Sequence, residues 1–309
     1  LLRYGPRVVR FRRLLRIAKP DVAIGFLPSS FPYLSLAASG MGTRVVCSLH
    51  NVPQRELGGD PGRWDSSPTD IGLRRRALRT SAANTVLLPS FVRQLEPAAE
   101  ARTRVISNMI APSSSPPADV RTSDSTNTVL AVGRLSPAKD HETLIRAWSM
   151  IAQRFPNWRV RILGDGPLEW LLRDLIADLG VERLVIDEPT SEIEEAYRSS
   201  KLLAMPSLYE GFGLVTAEAM ACGLPVVGFA DCEGTNEIVL DGTNGVLVDP
   251  GDDRVEAFAS ALSELIEDES LRCELAAQAA PSIDRYAPDH IVDQWAALVD
   301  DLTSDRGTR

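Results

Sequence analysis

Two glutamates flank a glycine-containing turn in the segment that carries most of the chemistry of this chain. Glu210 and Glu218 are eight positions apart, and the turn Gly211-Phe212-Gly213 leads into a predicted helix that starts at Leu214. Backbone N–H groups at the start of such a helix can face a phosphate or an anionic leaving group. The spacing alone leaves an alternative open, in which Glu210 is a turn residue and Glu218 is a solvated helix residue.

Two cations follow another predicted strand. Arg134 and Lys139 come after the apolar run Val129–Val132 and Gly133, just before a predicted helix. An arginine fork and a lysine point charge can together hold a diphosphate. The pair by itself is equally consistent with two solvated surface cations.

A second strand-to-helix turn reads Gly164-Asp165-Gly166-Pro167. It is not a dinucleotide-binding fingerprint, because the third glycine of that motif is missing. On the residues alone it predicts a tight turn.

The segments 207–228 and 133–140 together resemble the Glu-x7-Glu signature and the diphosphate-binding motif of retaining nucleotide-sugar glycosyltransferases, family 4 of the GT-B fold. The resemblance is strongest over residues 129–250 and fair over residues 20–110. It implies an α/β fold of two Rossmann-like domains whose parallel sheets face a cleft. The family's opening strand and glycine-rich loop would precede Leu1, so we expect an N-terminal truncation and an incomplete first domain.

The resemblance also implies roles for individual residues. Glu210 would contact the donor sugar and orient its anomeric carbon, and a role as the nucleophile of a double displacement stays open. His50 would approach the donor sugar from the first domain, although a lone histidine is usually structural. Glu218 would bind the ribose hydroxyls. The other expected donor-binding residues are Gly133, Arg134, Lys139, Gly164, Gly166, Gly211, Phe212, Gly213 and Leu214.

The function implied is transfer of a sugar, with retention, from a nucleoside diphosphate-sugar to a glycan or lipid-linked acceptor. A UDP-sugar is the expected donor, and the enzyme would be of the hexosyltransferase type. The polar segment 231–237 resembles the branch of the family that builds cell-surface polysaccharides and glycolipids. The segment 188–190 lacks the glycine usual beside the base, which leaves the base open. The alternatives are a noncatalytic nucleotide-sugar-binding or partner-binding protein on the same fold, and a phosphorylase- or epimerase-type enzyme.

The elements that would position these residues alternate between strands and helices. This alternation predicts parallel sheets, which bind ligands at the carboxyl ends of their strands. The predicted strands are Val22–Phe26, Arg44–Ser48, Thr85–Leu88, Arg104–Ile106, Val129–Val132, Arg159–Leu163, Leu184–Ile186, Leu202–Met205, Pro225–Gly228 and Val246–Val248. The predicted helices are 32–40, 71–82, 90–99, 140–154, 168–179, 192–199, 214–222 and 253–268, with further helices over 271–302.

A length of 309 residues fits two domains. We expect a partial, acceptor-side Rossmann-like domain over residues 1–111 and a linker rich in Ser, Pro, Thr and Asp over residues 112–127. A donor-binding Rossmann-like domain follows over residues 128–285, and a C-terminal helix and tail over residues 286–309.

The cysteines and histidines predict no metal and no cofactor. Four cysteines form no Cys-x-x-Cys pair, three histidines are far apart, and no Asp-x-Asp triplet occurs. Unpaired cysteines fit a reducing compartment, so we expect a cytoplasmic protein.

The charges are unevenly distributed along the chain. Residues 1–120 carry 17 Lys and Arg against 8 Asp and Glu, although the net charge of the whole chain is -9. Residues 1–19 hold seven cations and no acid, interleaved with apolar residues. This pattern predicts a basic helix that either lies on an anionic membrane surface, at the inner face of the plasma membrane, or packs against its own sheet as a solvated helix. We expect no nucleic-acid partner. The uncharged run from Val22 to Thr43 predicts a strand, a turn and a short helix rather than a membrane span.

Overall fold

The computed structural model describes residues 5–58, 67–122 and 127–304. The chain divides into two compact units, and each is described by itself below. The first unit comprises Leu1–Asn108 together with Asp289–Arg309, and the second comprises Met109–Pro288. Arg3, residues 123–126 of the expected linker and residues 305–309 of the expected tail lie outside the described residues.

The described residues contain ten strands. They are β1 (Val22–Phe26), β2 (Arg44–Ser48), β3 (Ala83–Val86), β4 (Thr103–Val105), β5 (Asn127–Val132), β6 (Trp158–Leu163), β7 (Leu184–Asp187), β8 (Leu202–Met205), β9 (Val226–Phe229) and β10 (Gly245–Val248).

Within the described residues, helices connect these strands everywhere except between β4 and β5. They are α1 (Gly5–Ala18), α2 (Phe31–Ala38), α3 (Pro53–Gly58), α4 (Pro68–Thr80), α5 (Pro89–Val92), α6 (Pro97–Glu100), α7 (His141–Ile151), α8 (Glu169–Asp178), α9 (Ile193–Arg198), α10 (Leu214–Ala221), α11 (Thr235–Ile238), α12 (Arg254–Glu267), α13 (Glu269–Ile283) and α14 (Pro288–Ser304). Three short 3₁₀ helices cover Pro137–Lys139, Ala152–Arg154 and Asp284–Tyr286.

The first unit is built on a parallel sheet in the order β1-β2-β3-β4. Its core includes Val46, Ala83 and Ile106, against which Ile291 and Leu298 of α14 are buried. The apolar residues of α14 fall three and four positions apart, so they share one helix face. The last long helix of the chain therefore belongs to the core of the first unit.

The second unit is built on a six-stranded parallel sheet in the order β10-β9-β8-β5-β6-β7. All four residues of β8 and of β9 are buried, as expected for strands covered by helices on both faces. Trp148 of α7 is fully buried and donates from Nε1 to the carbonyl of Glu182 at 3.1 Å. Phe229 stacks on Phe258 of α12 with ring centroids 5.0 Å apart.

Residues 109–122, ahead of β5, form no helix or strand, but they are held along the second unit. The N–H of Ala118 donates to the carbonyl of Cys222 at 2.8 Å. Lys201 Nζ donates to the carbonyl of Asp119 at 2.7 Å, and the buried Arg272 donates from Nε to the carbonyl of Val120 at 3.1 Å. Hydrogen bonds rather than secondary structure thus fix this segment.

The predicted strands are confirmed, three of them with the expected bounds and the others within two residues. The single helix predicted over 90–99 is wrong, since α5 and α6 are separate. Glu96 precedes Pro97 and is extended, with ψ at 147°, because the residue before a proline avoids the helical region. The polar segment 231–237 includes the start of α11, and α3 was not predicted.

The uncharged run between Val22 and Thr43 forms β1, a turn and α2, as expected. No helix within residues 5–58, 67–122 and 127–304 combines the length and the apolarity needed to cross a bilayer.

Candidate active site

The expected donor-binding residues lie at one edge of the second sheet. The loops that carry them follow β5, β6 and β8, three strands of the same parallel sheet. Because parallel strands end at a common edge, these loops lie side by side. The loop after β9 joins them there.

An ion pair lies at the centre of this edge. Lys139 Nζ donates to both carboxylate oxygens of Glu210, at 2.7 and 2.9 Å. Ser207 Oγ donates to Glu210 Oε1 at 2.7 Å. The side chains of Lys139 and Glu210 are only 19% and 10% exposed, so water screens this pair weakly.

The loop after β5 brings Lys139 to Glu210 across 71 positions of sequence. A Cβ on Gly133 would lie 3.2 Å from Lys139 Cε, so the glycine leaves room for the lysine stem. The N–H of Leu208 donates to the carbonyl of Ala138 at 2.9 Å. This backbone bond ties the loop that carries Lys139 to the loop that carries Glu210.

Gly164 and Gly166 support the same loop by close backbone approach. A Cβ on Gly164 would lie 1.9 Å from the carbonyl oxygen of Gly133, and one on Gly166 would lie 2.4 Å from that of Leu135. The N–H of Leu135 donates to the carbonyl of Asp165 at 2.6 Å. The tight turn thereby fixes the cation loop, and the expected nucleotide contact stays a prediction.

The loop after β9 fixes the backbone of Glu210. The N–H of Glu210 donates to the carbonyl of Glu233 at 2.7 Å. Gly234 has a φ of +96°, and a Cβ there would lie 2.7 Å from the Cβ and the carbonyl oxygen of Glu210. Only glycine fits this position without displacing Glu210.

The turn between the two glutamates opens onto the start of α10. Gly213 is left-handed, with a φ of 89°, and none of the described side chains caps the helix. Phe212 is buried edge-on against Tyr286, with ring centroids 5.0 Å apart. Leu214 begins the helix and is 44% exposed. The buried phenylalanine anchors the turn, while the uncapped N–H groups of Leu214 and the residues after it remain available to an anion.

Glu218 has a different type of partner from Glu210. The hydroxyl of Tyr197 donates to Glu218 Oε2 at 3.2 Å. Burial raises the pKa of the Glu218 carboxyl, and the hydrogen bond from Tyr197 opposes that shift. The two glutamates are thus a paired, nearly buried carboxylate and a half-buried carboxylate held by a phenol.

Arg134 is exposed beside this edge. It makes no hydrogen bond or ion pair among the residues described by the structure, so its guanidinium is available to a ligand.

His50 lies in the first unit, at the end of β2. Its Nε2 is 2.9 Å from Ser48 Oγ, which accepts a hydrogen bond from Thr85 Oγ1 at 2.7 Å. The imidazole packs against Phe26 with ring centroids 5.3 Å apart. Burial lowers its pKa, which favours the neutral ring. The expected catalytic role of His50 stays a prediction.

Two residues of the site, Ser207 and Tyr197, were not predicted from the sequence. Ser207 stands three positions before Glu210, and a hydroxyl so close to an expected functional carboxylate was a usable signal. Tyr197 is 21 positions from Glu218 and on another helix, so no local pattern joins them.

Comparison with solved structures identifies the fold. The crystal structure of HepE from Anabaena in complex with UDP superposes with a TM-score of 0.79, covering 96% of this chain and 82% of that chain at 22% identity. The α/β fold of GT-B type is thereby confirmed.

Sequence comparison then gives the family. The family model described as glycosyl transferases group 1 matches residues 117–281, and the chain belongs to that family. An exopolysaccharide phosphotransferase of Streptomyces coelicolor is 32% identical over 96% of this chain, and an amylovoran biosynthesis glycosyltransferase of Erwinia amylovora is 36% identical over 55% of it. The chain spans 30% and 47% of the lengths of those two relatives.

Proposed function

We propose that this protein transfers a sugar from a nucleoside diphosphate-sugar to a glycan or lipid-linked acceptor, with retention at the anomeric carbon. A UDP-sugar is the proposed donor, since the superposed Anabaena protein holds UDP. The observation that carries the proposal is the Lys139–Glu210 pair at the strand edge where α10 begins.

The leaving diphosphate would be bound by cations and backbone donors. Arg134 is exposed and unpaired among the described residues, and the first N–H groups of α10 have no side-chain cap. An incoming diphosphate would compete with Glu210 for Lys139. Positive groups fixed in advance around a leaving group stabilise the charge that develops on it in the transition state.

Once Lys139 binds the diphosphate, Glu210 would be released to bind the donor sugar. Its carboxylate is acceptor-only, so it would bind hydroxyl groups of the donor sugar and orient the anomeric carbon. Glu218 would accept hydrogen bonds from the ribose hydroxyls. Polysaccharide or glycolipid synthesis is the proposed setting, in accord with the amylovoran-building relative.

The decisive experiment measures donor binding and donor breakdown together. Titration calorimetry should show that UDP binds more tightly than uridine. Glu210→Gln should keep UDP binding and lose sugar transfer and donor hydrolysis, because the carboxylate acts on the sugar. Ser207→Ala is the control, since it removes a hydrogen bond to Glu210 but leaves the charge of Glu210 in place. It should lower turnover less than Glu210→Gln does.

The result also separates this proposal from a noncatalytic binding protein on the same fold. That alternative predicts UDP-sugar binding with no transfer and no hydrolysis in the unaltered chain. Membership of a glycosyltransferase family does not favour it.

The outward face of α1 supports a proposed location at the cytoplasmic face of an anionic membrane. Arg12 faces inward and donates to the carbonyls of Ala37 and Ser39, and Leu15 is buried. The exposed residues mix cations with apolar side chains and contain no acid. They include Val9, Arg10, Arg13, Leu14, Arg16 and Ile17.

A further inference from the structure

Arg254, the first residue of α12, lies against the loops that carry the site. Its Nη1 donates to both carboxylate oxygens of Asp231, at 3.0 and 2.9 Å. Its guanidinium carbon lies 3.5 Å from the centre of the Phe229 ring. The side chain is only 21% exposed, so a carboxylate and an aromatic face both hold the guanidinium in a largely dry place.

Two further contacts join Arg254 to the site. Its Nη2 donates to the carbonyl of Ser207 at 3.4 Å, and its Nε lies 3.7 Å from Asp140 Oδ2. The carboxylate of Asp140 is 18% exposed. Burial raises the pKa of Asp140, and the hydrogen bond from Thr143 and the charge of Arg254 oppose that shift.

These contacts join three loops at one point. Asp140 follows Lys139 at the end of the β5 loop, and Ser207 on the β8 loop donates to Glu210. Asp231 lies on the β9 loop, which fixes the backbone of Glu210 through Glu233. The loops that carry both members of the central ion pair are therefore tied to a single guanidinium.

Arg254 also matters through its charge, because two carboxylates lie beside it. Asp140 and Asp231 lie on loops that, on the proposed function, surround a diphosphate. Without Arg254 both carboxylates would lose the cation they pair with and would repel that anion, although Thr143 would still donate to Asp140 at 2.7 Å. A lysine could neutralise charge here, but it lacks the planar fork that contacts a carboxylate and an aromatic face together.

We infer that Arg254 is a positioning residue, which holds the Lys139 and Glu210 loops at the separation that a donor diphosphate requires. This inference rests on the proposed function, because it concerns the same donor site. Arg254 itself does not touch the donor. It sets the affinity for the diphosphate through the loops it joins.

The test compares the affinities of UDP and uridine, measured by titration calorimetry. Their ratio does not depend on the folded fraction, because unfolding lowers both affinities equally. Arg254→Gln should lower the ratio about tenfold, because the displaced loops would lose about one charge-assisted contact to the diphosphate. Arg254→Lys should recover part of the loss.

Arg154→Gln is the matched control. Arg154 also pairs with a carboxylate, Glu267 at 2.7 Å, and lies over an aromatic ring, Phe155 at 5.2 Å, but it contacts none of the site loops. The UDP to uridine ratio should be unchanged in this variant, even if both variants melt at a lower temperature.

An unchanged ratio in Arg254→Gln, with UDP preferred by the wild type, overturns this inference and leaves the proposed function standing. A wild type with no preference for UDP overturns both. If Arg254→Gln does not fold, Asp231→Asn keeps the arginine and removes one of its anchors. A ratio in that variant equal to the wild type then overturns the inference, and a lowered ratio supports it.

Discussion

The Lys139–Glu210 pair makes a strong prediction about stability. Lys139→Met removes the cation and keeps most of the apolar stem, so among the described residues the Glu210 carboxylate keeps Ser207 as its one side-chain donor. Removing one member of a buried ion pair costs about 3–5 kcal/mol, and charge-assisted hydrogen bonds contribute about 1.5–3 kcal/mol each. Because the two side chains stay 19% and 10% exposed and Ser207 remains, we expect a loss of about 2–3 kcal/mol.

The same substitution should cost much less when the carboxylate is already gone. In a Glu210→Gln background Lys139→Met leaves no buried charge unpaired, so we expect a loss below about 1 kcal/mol. The coupling between the two positions would then be about 2 kcal/mol. Two groups in direct contact, here 2.7 Å apart, are expected to be non-additive.

Urea unfolding at pH 7, followed by tryptophan fluorescence, measures this cycle, since the buried Trp148 and Trp158 of the second unit contribute to the signal. With a urea slope of about 2 kcal/mol/M, Lys139→Met should lower the midpoint by about 1 M. Lys201→Met is a control, since Lys201 donates to a backbone carbonyl and not to Glu210. It should cost the same in both backgrounds. Equal costs of Lys139→Met in the two backgrounds would refute the reasoning.

Four further predictions follow from the site and from α1. Burial raises the pKa of Glu218, so its ionised form is disfavoured in the folded state. Glu218→Gln should therefore have a higher free energy of unfolding than the wild type at pH 7, and this gain should vanish as the pH falls through the titration range of the carboxyl. The affinities for UDP and for uridine should both fall in this variant. A gain in stability that does not change with pH would contradict this. Arg134→Ala should change the unfolding free energy by less than about 0.5 kcal/mol and weaken UDP about tenfold without weakening uridine; equal losses for the two ligands would remove the diphosphate role. UDP binding should persist in a chelator, since the cations are protein side chains, and calorimetric affinity that disappears with EDTA would count against that scheme. The protein should co-sediment with vesicles rich in anionic lipid at low salt and dissociate from them at high salt. Replacing Arg10, Arg13 and Arg16 with glutamine should abolish this binding, because each cation near the surface contributes about 1 kcal/mol. Vesicle binding that does not depend on lipid charge would contradict the proposed membrane surface.

Much of the fold follows from short-range patterns. β8 and β9 are continuous apolar runs bounded by turn residues, and such runs specify buried parallel strands wherever they occur. Gly223, which follows the α10 helix, has a φ of +75°, a conformation in which glycine commonly ends helices. The wrong helix over residues 90–99 also has a local cause, because Pro97 keeps Glu96 extended and divides the segment.

The site could be predicted only in part, because its contacts join residues that are far apart in the sequence. Motifs marked Lys139 and Glu210 separately, but not the contact between them, because it depends on how two loops 71 positions apart meet at a sheet edge. Tyr197 and Arg254 are recognisable only from what they touch. Side chains that act through a partner leave no spacing pattern in the sequence.

The burial of α14 in the first unit has a consequence for how the chain is made. Val46 and Ala83 find their partners Ile291 and Leu298 only after the whole of the second unit has been synthesised. The second unit has its last strand by Val248, so it has the residues for its whole sheet before the first unit can complete its core. Domains generally fold as units while the chain emerges. On the ribosome, the second unit should therefore fold before the first, whose sheet stays exposed until α14 has been synthesised.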